Sequence, residues 1–147
     1  MNCLIIARNN NKDDQHKYLN IIKTKLSKYF KSIYVDEKIF KNKEIDPSFL
    51  SFDVKNIDKN KDWLTIIYDD QYFLDPKLVS LGLKKIQKIN SDIYSQELHV
   101  TLPLGIGMTS IRTELLTPFS KVDDKAINNL LTNKNNSIYF DNKLVDF

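Results

Sequence analysis

Apolar positions along the chain alternate between two periods. Residues 2 to 7 (N-C-L-I-I-A) form a short continuous apolar run bounded by polar residues, the mark of a buried strand. A polar loop follows, R-N-N-N-K-D-D at 8 to 14, in which Asp13 or Asp14 is a natural helix N-cap. Beyond it Tyr18, Ile22, Leu26 and Tyr29 recur at helical spacing, joined by Leu19 and Phe30, with lysines on the far face. That stretch predicts an amphipathic helix. Ser32 to Asp36 is β-branched and aromatic and predicts a second strand, which completes a strand-helix-strand unit.

Residues 37 to 61 are less regular, with Phe40, Phe49 and Phe52 anchoring a loop or short helix around Pro47 and a polar turn from Asn56. Trp63 to Tyr68 (W-L-T-I-I-Y) is the strongest strand signal and ends in Asp69-Asp70. Asp75-Pro76 opens a helix through Ile89, with Asp75 as N-cap and Pro76 at its first position. Gly82 inside this helix costs roughly 1 kcal/mol against alanine, which close packing on a sheet would justify. Glu97 to Leu102 alternates and predicts a strand that leads into P-L-G-I-G. Thr109 or Ser110 is positioned to cap a helix through Leu116, and a further helix spans Lys121 to Leu131, capped by Asp123 or Asp124. The last eleven residues hold two short apolar runs around Asp141-Asn142, a hairpin or edge strands. The expected fold is a single α/β domain over residues 1 to 147, a three-layer sandwich on a mostly parallel or mixed sheet, closed by that hairpin or edge strand.

Composition narrows the classes of function. A chain of 147 residues buries a real core. A net charge of +3 is far from the balance of a dedicated nucleic-acid binder, so nucleic acid is not an expected partner. The one cysteine, Cys3, sits in an apolar run and reads as a buried inert thiol. No apolar stretch approaches the roughly 20 residues of a membrane span, and no signal peptide is evident, so a cytoplasmic protein without membrane contact is expected. Basic residues are 20 lysines and 2 arginines, which makes Arg8 and Arg112 the less expected cations.

Candidate chemistry gathers at L-H-V-T-L-P-L-G-I-G-M-T-S-I-R, residues 98 to 112, which holds two of the three glycines. A strand, a glycine loop and a helix N-terminus make an anion site, because glycine admits close backbone approach and first-turn N–H groups face the ligand. Pro103, Gly105, Ile106 and Gly107 would form the cradle, Thr109 and Ser110 would add hydroxyls, and Arg112 would bring a cation. Arg8, after the first strand, suits phosphate through its planar fork. Asp69 and Asp70 lie at the end of the strongest strand, where carboxylates contact a ribose or Mg²⁺. The P-loop lysine and the third glycine of a dinucleotide fingerprint are missing, and no cofactor or resident metal is expected.

Residues 79 to 111, V-S-L-G-L-K-K-I through L-P-L-G-I-G-M-T-S-I, resemble the second half of a macro domain. In that family a helix and a strand lead into a P-x-L/I-G-x-G loop that wraps the phosphates of ADP-ribose. Pro103, Leu104, Gly105 and Gly107 match the loop if one residue is deleted. The resemblance implies an α/β/α sandwich with a nucleotide-sugar cleft. The leading reading is therefore a protein that binds, hydrolyses or sequesters a nucleotide or ADP-ribose-like ligand at the carboxyl ends of the strands. Two alternatives stand beside it. Small proteins of this AT-rich composition also occur in phages and mobile elements, where they bind and inhibit a host protein. His99 and Thr101, as H-V-T on a strand, also resemble half of a two-histidine phosphoesterase, with His99 as acid or base.

Overall fold

The structure is a computed structural model that describes residues 2–8, 14–41, 45, 47–56, 63–96 and 107–141. The first apolar run forms β1 (Asn2–Ile6), and the helical repeat after it forms α1 (Gln15–Leu26), which turns Leu19, Ile22 and Leu26 inward as its spacing requires. β2 (Ser32–Val35) follows, then a one-turn helix α2 (Glu37–Phe40) and a two-residue strand β3 (Leu50–Ser51). The residues expected to be irregular thus hold a strand, too short to leave a periodic signal. β4 (Trp63–Tyr68) has all six residues buried, as an apolar run without alternation demands of a central strand. α3 (Pro76–Ile86) starts as its sequence dictates: Pro76 stands in the first turn, and the Asp75 side chain accepts the Lys77 N–H. In α4 (Asp124–Thr132) the cap is Asp123, whose carboxylate accepts the Ala126 N–H at 2.9 Å.

One expectation changes in the second half, and two others lie partly outside the described residues. β5 (Ile93–Ser95) lies just ahead of the expected strand at 97 to 102, which falls outside the described residues. Thr109–Arg112 is a strand, β6, and not a helix start; a 3₁₀ turn at Thr113–Leu115 follows it. Its β-branched residues pair on both sides, with β4 and β5, and two ladders outweigh any local capping preference. Near the C-terminus, β7 (Ile138–Phe140) is an edge strand parallel to β5. A hairpin partner for it would fall at 142 to 147, outside the described residues.

Among the described residues the strands form one sheet in the order β3-β2-β1-β4-β6-β5-β7. All neighbours run parallel except β6, which is antiparallel to both β4 and β5. Alternate residues of β1 part the core in two. Cys3 and Ile5 meet α1 and α3 through Leu19, Ile22, Val79 and Ile86. Leu4 and Ile6 meet α4 through Ile127 and Leu130, with Leu116 and Val122 beside them. Helices therefore cover both faces of a mixed sheet, the expected α/β sandwich. Cys3 is fully buried, and burial pushes its thiol well above the ordinary range, so it packs as a small apolar group. Among the described residues no helix is long and apolar enough to cross a membrane.

Candidate functional site

The strand order reverses direction at the β1/β4 pair. β1 connects outward to β2 on one side, and β4 connects outward past β6 to β5 on the other. In open α/β sheets a crevice forms outside the carboxyl ends of such a pair, because the two following loops diverge. The residues that leave β1 and β4 at this point are Ala7-Arg8 and Asp69-Asp70.

Their backbone and side chains interlock. The Ala7 N–H donates to Asp36 Oδ2 at 2.8 Å, and the Arg8 N–H donates to Asp69 Oδ1 at 2.7 Å. Two successive amides of the β1 exit are thus taken by carboxylates from the neighbouring strands. Asp36 also caps α2 by accepting the Ile39 N–H. Gln15, the first residue of α1, donates from Nε2 to Asp69 Oδ2 at 2.7 Å. Asp69 is wholly buried and holds both the end of β1 and the start of α1. The neighbouring Asp70 does something different. Arg8 donates to it through Nε at 2.9 Å and Nη2 at 2.8 Å, a two-pronged ion pair, while the guanidinium carbon lies 3.9 Å from the centre of the Tyr68 ring.

Tyr68 faces α4 from the other side of the sheet. Its hydroxyl and the Asp124 carboxylate are buried beside one another, and neither the hydroxyl nor Asp124 Oδ1 makes a well-aligned hydrogen bond. Burial first, and the nearby Asp124 carboxylate second, push the phenol above its ordinary range, so it keeps its proton. Because its contact with Asp124 falls short of a well-aligned hydrogen bond, Tyr68→Phe should change stability by less than about 1 kcal/mol, whereas loss of a made buried bond costs about 1–3 kcal/mol. A denaturant titration of the two proteins checks this; a larger loss would mean that a bridging group satisfies the hydroxyl.

Beside Arg8 a cleft of about 820 Å³ opens against Ile6 and Ala7, the ends of β2 and β3, and the start of α4. Its walls mix five carboxylates (Asp36, Glu37, Asp53, Asp123, Asp124), three lysines (Lys38, Lys121, Lys125) and the amides Asn128 and Asn129. Sequence reasoning missed this cleft. Asp123-Asp124 read only as helix caps, and residues around 36 and 53 carried no motif.

Of the expected site residues, Arg8, Asp69 and Asp70 come together at the β1/β4 crevice. Gly107 is tied to the same rim, since Gln71 Nε2 donates to its carbonyl at 3.2 Å and Gln71 Oε1 accepts the Tyr68 N–H. Its role differs from a phosphate cradle. A Cβ on Gly107 would lie 2.4 Å from the Cβ of Gln96, and one on Gly82 would lie 2.6 Å from Gln96 Nε2. Both glycines make room for Gln96, which donates to the Leu78 carbonyl and accepts the Met108 N–H. The hydroxyls of Thr109 and Ser110 are spent within the sheet, on Ser95 and Thr65. Arg112 is placed away from the site. β6 runs antiparallel, so Arg112 pairs with Trp63 at the amino end of β4, lies over its ring at 4.4 Å and donates to the Ser91 carbonyl. His99, Pro103, Gly105 and Ile106 fall outside the described residues. No three of His, Cys, Asp and Glu converge among the described residues, and the oxygens of Asp69 and Asp70 are engaged by Arg8 and Gln15.

No family model and no curated protein sequence matches the chain. Solved structures do. Rv0371c of Mycobacterium tuberculosis, in complex with manganese, superposes with a TM-score of 0.68 at 8% identity, over 96% of this chain and 86% of that one. The bifunctional IspDF of Campylobacter jejuni gives 0.61 at 15% identity, over 96% of this chain and 49% of the longer enzyme. The 4-diphosphocytidyl-2C-methyl-D-erythritol synthase of Anaerococcus prevotii gives 0.54 at 9% identity, over 97% and 88%. The chain shares their fold. It does not have the macro-domain architecture that residues 79 to 111 suggested. The structures that superpose on it over nearly its whole length are of another kind, and Gly107 leads into β6 and not into the helix start expected after the glycines. With that resemblance gone, ADP-ribose loses its support, and no finding favours a host-protein partner.

Proposed function

We propose that the chain binds a nucleotide at the carboxyl ends of the strands, with its phosphates at the β1/β4 crevice and its nucleoside in the neighbouring cleft at the ends of β1, β2 and β3. The meeting of Arg8 with Asp69-Asp70 at the point where strand order reverses carries this reading. The fold supports it, since the Anaerococcus protein is named a synthase of 4-diphosphocytidyl-2C-methyl-D-erythritol, a product that carries cytidine diphosphate. Arg8 is the rim cation for phosphate. The cleft's carboxylates outnumber its lysines five to three, so it suits the nucleoside: the carboxylates and amides offer partners to ribose hydroxyls and a base edge. If a reaction follows, nucleotidyl transfer is the class that the fold favours.

Thermal unfolding with CTP, UTP, ATP and GTP, each with and without Mg²⁺, tests the reading. A ligand at 100 times its Kd stabilises the fold by about 2.7 kcal/mol, which raises the melting temperature by several degrees. No shift with any of the four, on a sample that melts cooperatively, would remove the proposal.

A further inference from the structure

We propose that Arg8 is a latched phosphate-binding group: Asp70 occupies its fork in the empty protein, and an incoming di- or triphosphate takes the place of the Asp70 carboxylate. The inference rests on the phosphate-binding reading above and adds the exchange.

Three observations carry it. The first is the contrast between adjacent aspartates. Asp69 is fully buried and holds a backbone N–H and Gln15, so it cannot leave without unmooring β1 and α1. Among the described residues Asp70 bonds only to the Arg8 side chain and holds no backbone group. The second is exposure. The Arg8 and Asp70 side chains are 26% and 39% accessible, so the carboxylate can turn into water. The third is that Arg8 needs no help from Asp70 to stay in place. Its amide is fixed on Asp69, and its guanidinium lies on the Tyr68 ring. Release of Asp70 therefore leaves the Nε and Nη2 edge pointing at the crevice, with donor spacing that fits two phosphate oxygens as it fits two carboxylate oxygens.

The cost of the exchange is the ion pair, which at this exposure is worth up to a factor of about five in affinity, plus the repulsion between a freed Asp70 and the phosphate. Removing the Asp70 charge should therefore tighten phosphate binding, the opposite of what a ribose or metal contact at Asp70 predicts.

The test uses the full chain and inorganic tripolyphosphate in EDTA, followed by calorimetry, with the best nucleotide from the thermal screen as a second ligand. Asp70→Asn and Asp70→Ala, each shown to melt cooperatively, should bind tripolyphosphate roughly five- to tenfold more tightly than the parent chain. Arg8→Gln should bind more weakly, and Asp70→Asn added to it should bring no gain. Phenylglyoxal gives a second readout, because the chain has only two arginines and Arg112 serves as the internal reference. Arg8 should label faster relative to Arg112 in Asp70→Asn, and tripolyphosphate should slow it. The latch is overturned if either Asp70 variant binds tripolyphosphate no more tightly than the parent, or if the gain persists without Arg8. A parent chain that binds tripolyphosphate but no nucleotide would leave the latch standing and sink the nucleotide reading. Nucleotide binding without tightening at Asp70 would do the reverse, and a chain that binds neither would end both.

Discussion

Asp69→Ala should destabilise the protein by about 3 kcal/mol, while Asp70→Ala should cost less than about 1 kcal/mol. The carboxylates are neighbours in sequence and equal in chemistry, so the difference lies in what each holds. Asp69 is inaccessible to solvent and accepts the Arg8 N–H and the Gln15 amide, each at 2.7 Å. Alanine there strands a part-buried backbone donor and a buried amide, each costing about 1–3 kcal/mol, with partial relief by entering water. Asp70 loses only a part-exposed pair with Arg8. Urea titrations of the two variants measure both values. Equal losses would show that the carboxylates share one task and would undo the distinction between clasp and latch.

Gly107→Ala should cost about 2–3 kcal/mol, through crowding and not through backbone conformation. The new methyl would sit 2.4 Å from Gln96 Cβ and 3.0 Å from the Gln96 carbonyl oxygen. Neither is the flexible end of a side chain, so the strand end itself has to move. The cause can be isolated by a double-mutant cycle with Gln96→Gly. That change removes the crowding Cβ and gives up the side chain's bonds to Leu78 and Met108. The pair should then be less destabilised than the sum of the single changes by about 1 kcal/mol or more. Strict additivity would place the glycine's importance elsewhere.

What could be read in advance follows from how local each signal is. β4 was legible because W-L-T-I-I-Y is apolar over its whole length and the strand is buried on both faces. The start of α3 was legible because Asp75 and Pro76 act within one turn. Arg8 and the twin aspartates were placed together correctly, since both follow strands that lie side by side and parallel. The position of Arg112 was not legible. It depends on the direction of β6, which is set by pairing with β4 and β5 and leaves no mark in T-S-I-R. Gly107 was noticed for the right reason, close approach, but the partner is Gln96 and not a phosphate. The cleft at α4 was invisible because it joins Asp36, Asp53 and Asp124, residues far apart in the chain whose local roles as caps and turn formers look complete.

The pairing of β1 with β4 also governs how the chain assembles. β1, α1 and β2 precede β4 in the chain, and one flank of β1 is closed only by residues Trp63 to Tyr68. Contacts of such sequence separation slow the rate-limiting step of folding. Until β4 docks, the unpaired backbone edge of β1 is open to other chains, so partly folded forms of this protein are most vulnerable to association at that edge.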